Sequence, residues 1–335
     1  MKRTIATIRD VAVHAGVSVS TVSRVINGRG PTHTETTSRV RAVIAELGFR
    51  PNPAGRALKS ARSDCLGVVL PALSDPCHAG TLAALESAAC GYGRGVMIAC
   101  GGGDDSECAA VERLLAHRVS GMILTVCDAG RSDALAMLDR EGVPYVLAHN
   151  LPRRSAESGV GVAVATDPDA AALLLVDAMT GHGHRVVGNV ASPEQPADWA
   201  CRFADTLDRV LRARDLPPVL RFDRSALRAA LAGPGAPSLL WCGGAVTAQA
   251  LLRDLRDLGR MVPGDIAVIA GEGVVAPDLA PDLAPDLAVI ASPTGAIGDR
   301  AVELLIAAIA GDDPVASVLL PPQFWPGQTL GTVRR

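Results

Sequence analysis

From Cys65 onward, short apolar runs alternate with longer stretches whose apolar residues recur at helical spacing, and this alternation admits few folds. The strand-length runs fall at 65–70, 96–99, 121–126, 144–148, 160–165, 185–190, 238–242, 266–270 and 288–291. Helical stretches lie between them, at 79–91, 106–117, 132–141, 168–179, 199–214, 245–258 and 295–310. Strands separated by helices predict parallel sheets with right-handed crossovers. Nine strands over so long a stretch point to two doubly wound lobes rather than one large sheet. A ligand of such a fold sits beyond the carboxyl ends of the strands, here between the lobes.

The first sixty residues belong to something else. Residues 1–62 carry eleven Lys/Arg against three acids, a net +8, while the remainder carries 21 bases and 32 acids, a net −11. A small basic end on an acidic body fits a nucleic-acid-binding headpiece on a domain that does not attract phosphate. Aromatic residues are only 3% of the chain, which argues against recognition by stacked bases. No apolar run reaches membrane-spanning length, and Arg9 and Asp10 interrupt the start before a signal-peptide core develops, so a cytoplasmic location is expected. The eight cysteines form no CxxC pair and fall in apolar contexts, which reads as buried thiols.

Inside the basic segment the pattern is helical. Thr7-Ile8-Arg9-Asp10 has the form of a capping box, with Ile8, Val11, Ala12 and Ala15 at helical spacing and Gly16 as the stop. Ser18 can cap a second helix whose inward stripe is Val22, Val25 and Ile26, closed by Asn27-Gly28. A third helix is predicted over 34–47, burying Val40, Val43, Ile44 and Leu47 before Gly48. Two helices joined by a few residues containing Gly16 make a helix-turn-helix. The second helix of such a motif enters the major groove, which gives Val19, Ser20 and Arg24 base edges to read. Arg24 suits a bidentate pair with guanine, and Val19 suits a thymine methyl. Thr7, Ser18, Thr21, Ser23 and Asn27 are short polar side chains suited to phosphates.

Residues 7–28 (TIRDVAVHAGVSVSTVSRVING), followed by Glu46-Leu47-Gly48-Phe49-Arg50-Pro51-Asn52 and Arg56-Ala57-Leu58, resemble the lactose/galactose repressor (LacI/GalR) family. Further matching pieces are Leu66-Gly67-Val68-Val69, Leu73-Ser74-Asp75-Pro76, Gly183-His184-Arg185 and Val262-Pro263-Gly264-Asp265, so the resemblance covers nearly the whole chain. It implies an all-α helix-turn-helix headpiece at 1–50, a hinge helix and linker at 51–64, and a two-lobed α/β sensor and dimerisation domain at 65–335, periplasmic-binding-protein-like. Chain crossings near Val162, Ala291 and Pro322 then divide the sensor into an N-lobe (65–162 and 292–322) and a C-lobe (163–291 and 323–335). The resemblance also implies a homodimer on double-stranded operator DNA, with Asn52, Gly55, Arg56 and Leu58 in a minor-groove hinge and Leu58 as the wedge between central base steps. Gly55 stands where the family usually has alanine, which lowers helix propensity by roughly 0.5–1 kcal/mol.

By the same resemblance a small-molecule effector would meet Asp75, Cys77, His78, His149, Asn150, Trp199, Ala245 and Glu272. Here the match weakens. Cys77-His78 replaces a pair that is usually aromatic, His149-Asn150 stands where an acid and a basic or aromatic residue are common, Trp199 takes the place of a ligand-gripping Arg, and Gly244-Ala245 replaces Asn-Asp. A sugar wants carboxylates and Arg for its hydroxyls, and a site lacking them rejects it. Either the effector differs from a sugar or effector control has been lost, which leaves an effector-independent repressor as one alternative. A solute-binding protein with a basic leader is another. Residues 276–287 read as three tandem Pro-Asp-Leu units and predict an extended loop near the cleft rim. Gly181-His182-Gly183-His184 lacks further ligands at metal spacing, so His184 is expected to be structural. No cofactor, metal or catalytic signature is present, and an enzyme is not expected.

Overall fold

The computed structural model describes residues 6–27, 33–49, 62–71, 73, 76–101, 104–125, 133–149, 162–191, 197–271, 287–312 and 316–333. The chain divides into two compact units, Met1–Ser63 and Asp64–Arg335.

The first unit holds helices α1 (Ile8–Ala15), α2 (Val19–Asn27) and α3 (Thr34–Leu47). Thr7 starts α1 through a closed capping box: the Asp10 N–H donates to Thr7 Oγ1 at 3.3 Å and the Thr7 N–H donates to Asp10 Oδ2 at 2.7 Å. Those bonds from Thr7 hold the Asp10 carboxyl below its ordinary pKa. Gly16, at φ 63, turns the chain out of α1, a left-handed conformation that a residue with a Cβ adopts at a cost. Val11, Ala12, Ala15, Val22, Val25, Val40, Val43 and Phe49 form the buried core, the positions that periodicity assigns to it plus Phe49. All three helices lie where the sequence predicts them.

The second unit contains two six-stranded sheets. The first is built from β1 (Cys65–Leu70), β2 (Gly95–Cys100), β3 (Met122–Leu124), β4 (Tyr145–Ala148), β5 (Val162–Thr166) and β11 (Val318–Leu320), in the order β11-β5-β4-β3-β1-β2, all parallel. The second holds β6 (Val187–Ala191), β7 (Leu220–Asp223), β8 (Leu239–Gly243), β9 (Ala267–Gly271), β10 (Ala288–Ala291) and β12 (Gln323–Trp325), in the order β12-β10-β9-β8-β6-β7. Only β12 runs antiparallel there, against β10. Central strands are buried on both faces, as crossover helices require.

Helices α4 (Pro76–Gly91) and α11 (Thr294–Ala310) cover one face of the first sheet, with Leu85, Ile297, Val302 and Leu305 over Leu66, Val68 and Ile123. The other face takes α5 (Asp104–Ala116) and α6 (Asp133–Glu141). On the second sheet α7 (Pro168–Gly181) and α8 (Ala197–Ala213) bury Phe203 and Leu211 against Trp241. Helices α9 (Leu227–Ala230) and α10 (Ala245–Asp257) close its opposite face.

Three corrections to the sequence reading arise here. The nine expected strands all form, but β7, β11 and β12 are additional; they are edge strands of three or four residues with little buried alternation to betray them. The first crossing between lobes falls after Thr166 rather than near Val162, because β5 pairs with both β4 and β11 of the first sheet. The cysteines are not uniformly buried. Among those described, only Cys242 is, and burial pushes its thiol up to about 12. Cys90, at the end of α4, and Cys100, the last residue of edge strand β2, are exposed.

The three crossings are tied to one another. The Thr166 hydroxyl donates to Ser292 Oγ at 3.0 Å, both side chains buried, and the Asp167 N–H donates to Leu320 O at 2.8 Å. Thus the first crossing is bonded to the second and the third. Among the described residues no helix is long and apolar enough to cross a membrane.

Candidate functional site

In the first unit, burial of Val22 and Val25 forces the opposite side of α2 outward. Val19 is 41% exposed, and Ser20 and Arg24 are exposed as well. The three residues expected to read bases therefore share the accessible side of one helix. Its first turn carries a cluster of hydroxyls. Ser18 Oγ accepts the Thr21 N–H at 3.2 Å as an N-cap and lies 2.8 Å from Ser20 Oγ and 2.9 Å from Thr21 Oγ1. Thr21 and Ser23 are half-buried, and Asn27 closes the helix. Thr7 is committed within the headpiece: its hydroxyl and its N–H both donate to the Asp10 carboxylate, so a phosphate contact there requires the box to open. The hinge residues Asn52, Gly55, Arg56 and Leu58 lie outside the described residues.

In the second unit, the carboxyl ends of the first sheet bring together two of the expected effector residues. His149 follows β4 in a left-handed conformation, φ 69, with its N–H donating to Val164 O at 2.8 Å. Such backbone is uncommon outside glycine and tends to gather at functional sites. Its Nε2 lies 2.7 Å from the hydroxyl of Thr81, which is fully buried on α4. The ring of His78, in the first turn of α4, meets His149 edge-on at 6.3 Å. Thr81, one helical turn beyond His78, has no part in the sequence reading; the i, i+3 spacing along α4 is the signal that points to it. Imidazoles and a hydroxyl can each donate or accept, which suits orienting a small polar molecule. Cys77 lies in α4, Trp199 in α8, and Ala245 opens α10 after Gly244 at φ 105. Asp75, Asn150 and Glu272, together with the Pro-Asp-Leu units up to 286, lie outside the described residues.

His184 is structural, as its sequence context suggests. It is buried, with Nδ1 2.9 Å from Ser238 Oγ and Nε2 2.8 Å from Gly331 O. A carbonyl only accepts, so Nε2 carries the proton and Nδ1 accepts from the serine. Burial lowers its pKa, partly opposed by the bond to Gly331. Below about pH 6.5 the unfolded chain takes up a proton on this imidazole that the folded chain refuses. The stability held by neutral His184 is therefore full above that pH and declines as pH falls toward the lowered folded value. Urea unfolding of the wild type and His184→Gln between pH 7.5 and 5.5 checks this: the variant should be less stable at pH 7.5 and lose less on acidification. Equal pH slopes would refute the assignment.

A three-helix headpiece with a helix-turn-helix, followed by a two-lobed doubly wound unit, defines a class: DNA-binding regulators with a periplasmic-binding-protein-like domain. Residues 7–52 match the family described as bacterial regulatory proteins, lacI family. Residues 63–196 match the periplasmic binding proteins and sugar binding domain of the LacI family, and residues 176–330 match a periplasmic binding protein-like domain. The chain belongs to the LacI family. Among similar proteins, the maltose regulon regulatory protein MalI of Escherichia coli K12 is 36% identical over 180 residues, about half of each chain (53% of this one, 52% of that one). The HTH-type transcriptional repressor CytR of Escherichia coli K12 is 27% identical over 320 residues, 92% of both chains. In fold, the lac repressor dimer bound to operator and the anti-inducer ONPF aligns over 98% of this chain and 100% of that one, with a TM-score of 0.80 at 24% identity.

Proposed function

We propose that this chain is a transcriptional repressor that binds a pseudopalindromic operator as a homodimer, with α2 in the major groove. The outward side of α2 carries this reading, because Val19, Ser20 and Arg24 face solvent while Val22 and Val25 face the core. Arg24 pairs with guanine, Val19 meets a thymine methyl, and the short polar residues of α2 hold the backbone. Asn52, Gly55, Arg56 and Leu58 form the hinge, with Leu58 as the minor-groove wedge. Dimerisation is needed because one short helix reads too few base pairs for useful specificity. The second copy meets the first across the edge strand β2.

An effector in the interlobe cleft sets the operator affinity. His78, Thr81 and His149 line its N-lobe side, and the bonded crossings at Thr166, Ser292 and Leu320 supply the hinge about which the lobes close. One observation favours a second reading, an effector-independent repressor: this corner, as described, offers imidazoles and a hydroxyl where a hydroxylated ring wants carboxylates. Titrating metabolites against operator affinity separates the two, a flat response over a broad panel favouring the second.

Selection from a random duplex pool by the full-length protein tests the main reading. The expected product is a two-fold symmetric site. Arg24→Ala should then cost about 1–3 kcal/mol, confined to one base position in each half-site. A protein that shows no preference among duplexes at moderate ionic strength, with or without metabolites, is not a repressor of this kind.

A further inference from the structure

The hydroxyl cluster at the start of α2 determines more than helix capping. Ser18 Oγ has three polar neighbours: the Thr21 N–H at 3.2 Å, Ser20 Oγ at 2.8 Å and Thr21 Oγ1 at 2.9 Å. A hydroxyl has one proton and two lone pairs. The N–H takes one lone pair. Ser18 must then donate to one neighbouring hydroxyl and accept from the other, so two arrangements exist. In one, Thr21 donates to Ser18 and Ser18 donates to Ser20, which leaves the Ser20 proton free to point outward. In the other, Ser20 donates to Ser18 and Ser18 donates to Thr21, which leaves Ser20 with only lone pairs facing solvent.

The DNA backbone chooses between them. A phosphodiester oxygen accepts and never donates, so a Thr21 hydroxyl that contacts phosphate must spend its proton there. It then cannot donate to Ser18, and the first arrangement is excluded. We infer that Ser18 and Thr21 relay the phosphate contact to Ser20 and fix it as a hydrogen-bond acceptor, so that Ser20 reads an exocyclic amino group, adenine N6 or cytosine N4, in the major groove. This rests on the proposed role of α2 as the base-reading helix. Ser18 and Thr21 are positioning residues: they act through the direction in which Ser20 can bond, and the phosphate contact that is blind to sequence thereby sets a sequence preference. Guanine O6 and N7 and thymine O4, which only accept, would meet lone pairs and be disfavoured.

The test uses the full-length protein and its pool-selected operator. Loss of preference in Ser20→Ala identifies the base that Ser20 reads. At that base, an analogue lacking the exocyclic amino group (purine in place of adenine, or the corresponding pyrimidinone in place of cytosine) should weaken wild-type binding about fivefold, the worth of one hydrogen bond. The same analogue should have no effect on Ser20→Ala. Thr21→Val, which keeps the shape and N–H of Thr21 but lacks its hydroxyl, frees Ser20 to donate as well as accept, so the discrimination against guanine or thymine at that base should fall about fivefold. Thr21→Ser should restore that discrimination. Ser18→Gly, which costs the helix only a few tenths of a kcal/mol as an N-cap, should behave like Thr21→Val. Selection of guanine or thymine at the Ser20 position by the wild type, or undiminished discrimination against them in Thr21→Val and Ser18→Gly, overturns the relay while leaving the repressor reading intact. A pool that yields no preferred site overturns both.

Discussion

Gly271→Ala should destabilise the second unit by about 3 kcal/mol or more, beyond the usual range for a single added methyl in a core. Gly271 is the last residue of β9, and a Cβ built there would lie 1.5 Å from Cη2 of Trp241 and 2.2 Å from its Cζ2. The indole has nowhere to go. Trp241 is 1% exposed and stacked on Phe203, centroids 5.0 Å apart and planes inclined by 26°, with the buried faces of α7 and α8 beyond. Relief requires either an off-rotamer indole or separation of β9 from β8, whose parallel register pairs Gly243 with Gly271. Urea unfolding followed by circular dichroism measures the loss. Gly271→Ala combined with Trp241→Leu should recover part of it, since the smaller side chain vacates the position, although Trp241→Leu alone leaves a cavity. A single variant within about 0.5 kcal/mol of wild type, the range of an ordinary surface substitution, would show that the sheet yields at this point.

What the sequence made legible follows from how local each cause is. The headpiece helices were readable because their signals act within four residues. The Thr7–Asp10 box, the Gly16 and Gly48 stops and the spacing of Val40 and Val43 each operate inside one helical turn. Strands β1 and β10 lie where their apolar runs lie because both are buried on both faces, so every residue carries the signal. At the edge strand β7, Leu-Arg-Phe-Asp carries almost none, since most of it is exposed and pairing alone holds it to β6. The outward side of α2 was legible for the same local reason: once Val22 and Val25 are inward, Val19, Ser20 and Arg24 have no other side to occupy. The relay among Ser18, Ser20 and Thr21 is equally local, yet it depends on rotamers that spacing does not specify. Long-range partners were out of reach. Thr81 and His149 are 68 residues apart, and His184 and Gly331 are 147 apart. No pattern along one chain joins them. The cysteines misled because their apolar neighbours were read as burial. Cys90 and Cys100 instead border an apolar surface that the isolated chain leaves open.

Ile98→Asp on that surface should convert the protein to a monomer and weaken operator binding by about 10²–10⁴-fold. Strand β2 forms one edge of the first sheet and runs six residues, Gly-Val-Met-Ile-Ala-Cys, without a charge. Ile98 is 41% exposed on it, and Tyr92, in the turn leading into it, is 51% exposed. An uncharged, apolar edge strand of this length is a liability in a protein that works as a single copy, and edges are ordinarily blunted by charge, shortness or cover. On the proposed reading a second copy is that cover, and it also serves the headpiece. Two headpieces joined through their sensor domains meet the second half-site intramolecularly, at an effective concentration that multiplies affinity by the factor given above. A carboxylate at position 98 would be desolvated against the partner's apolar edge, yet in the monomer it would face water, so the melting temperature of the isolated chain should change little. The opposite edge supplies the control. Leu319 on β11 is 45% exposed but sits on a strand of only three residues, and Leu319→Asp should leave the dimer intact. Sedimentation and operator titration of both variants decide the matter: an Ile98→Asp protein that sediments as a dimer, or a Leu319→Asp protein that does not, places the interface elsewhere.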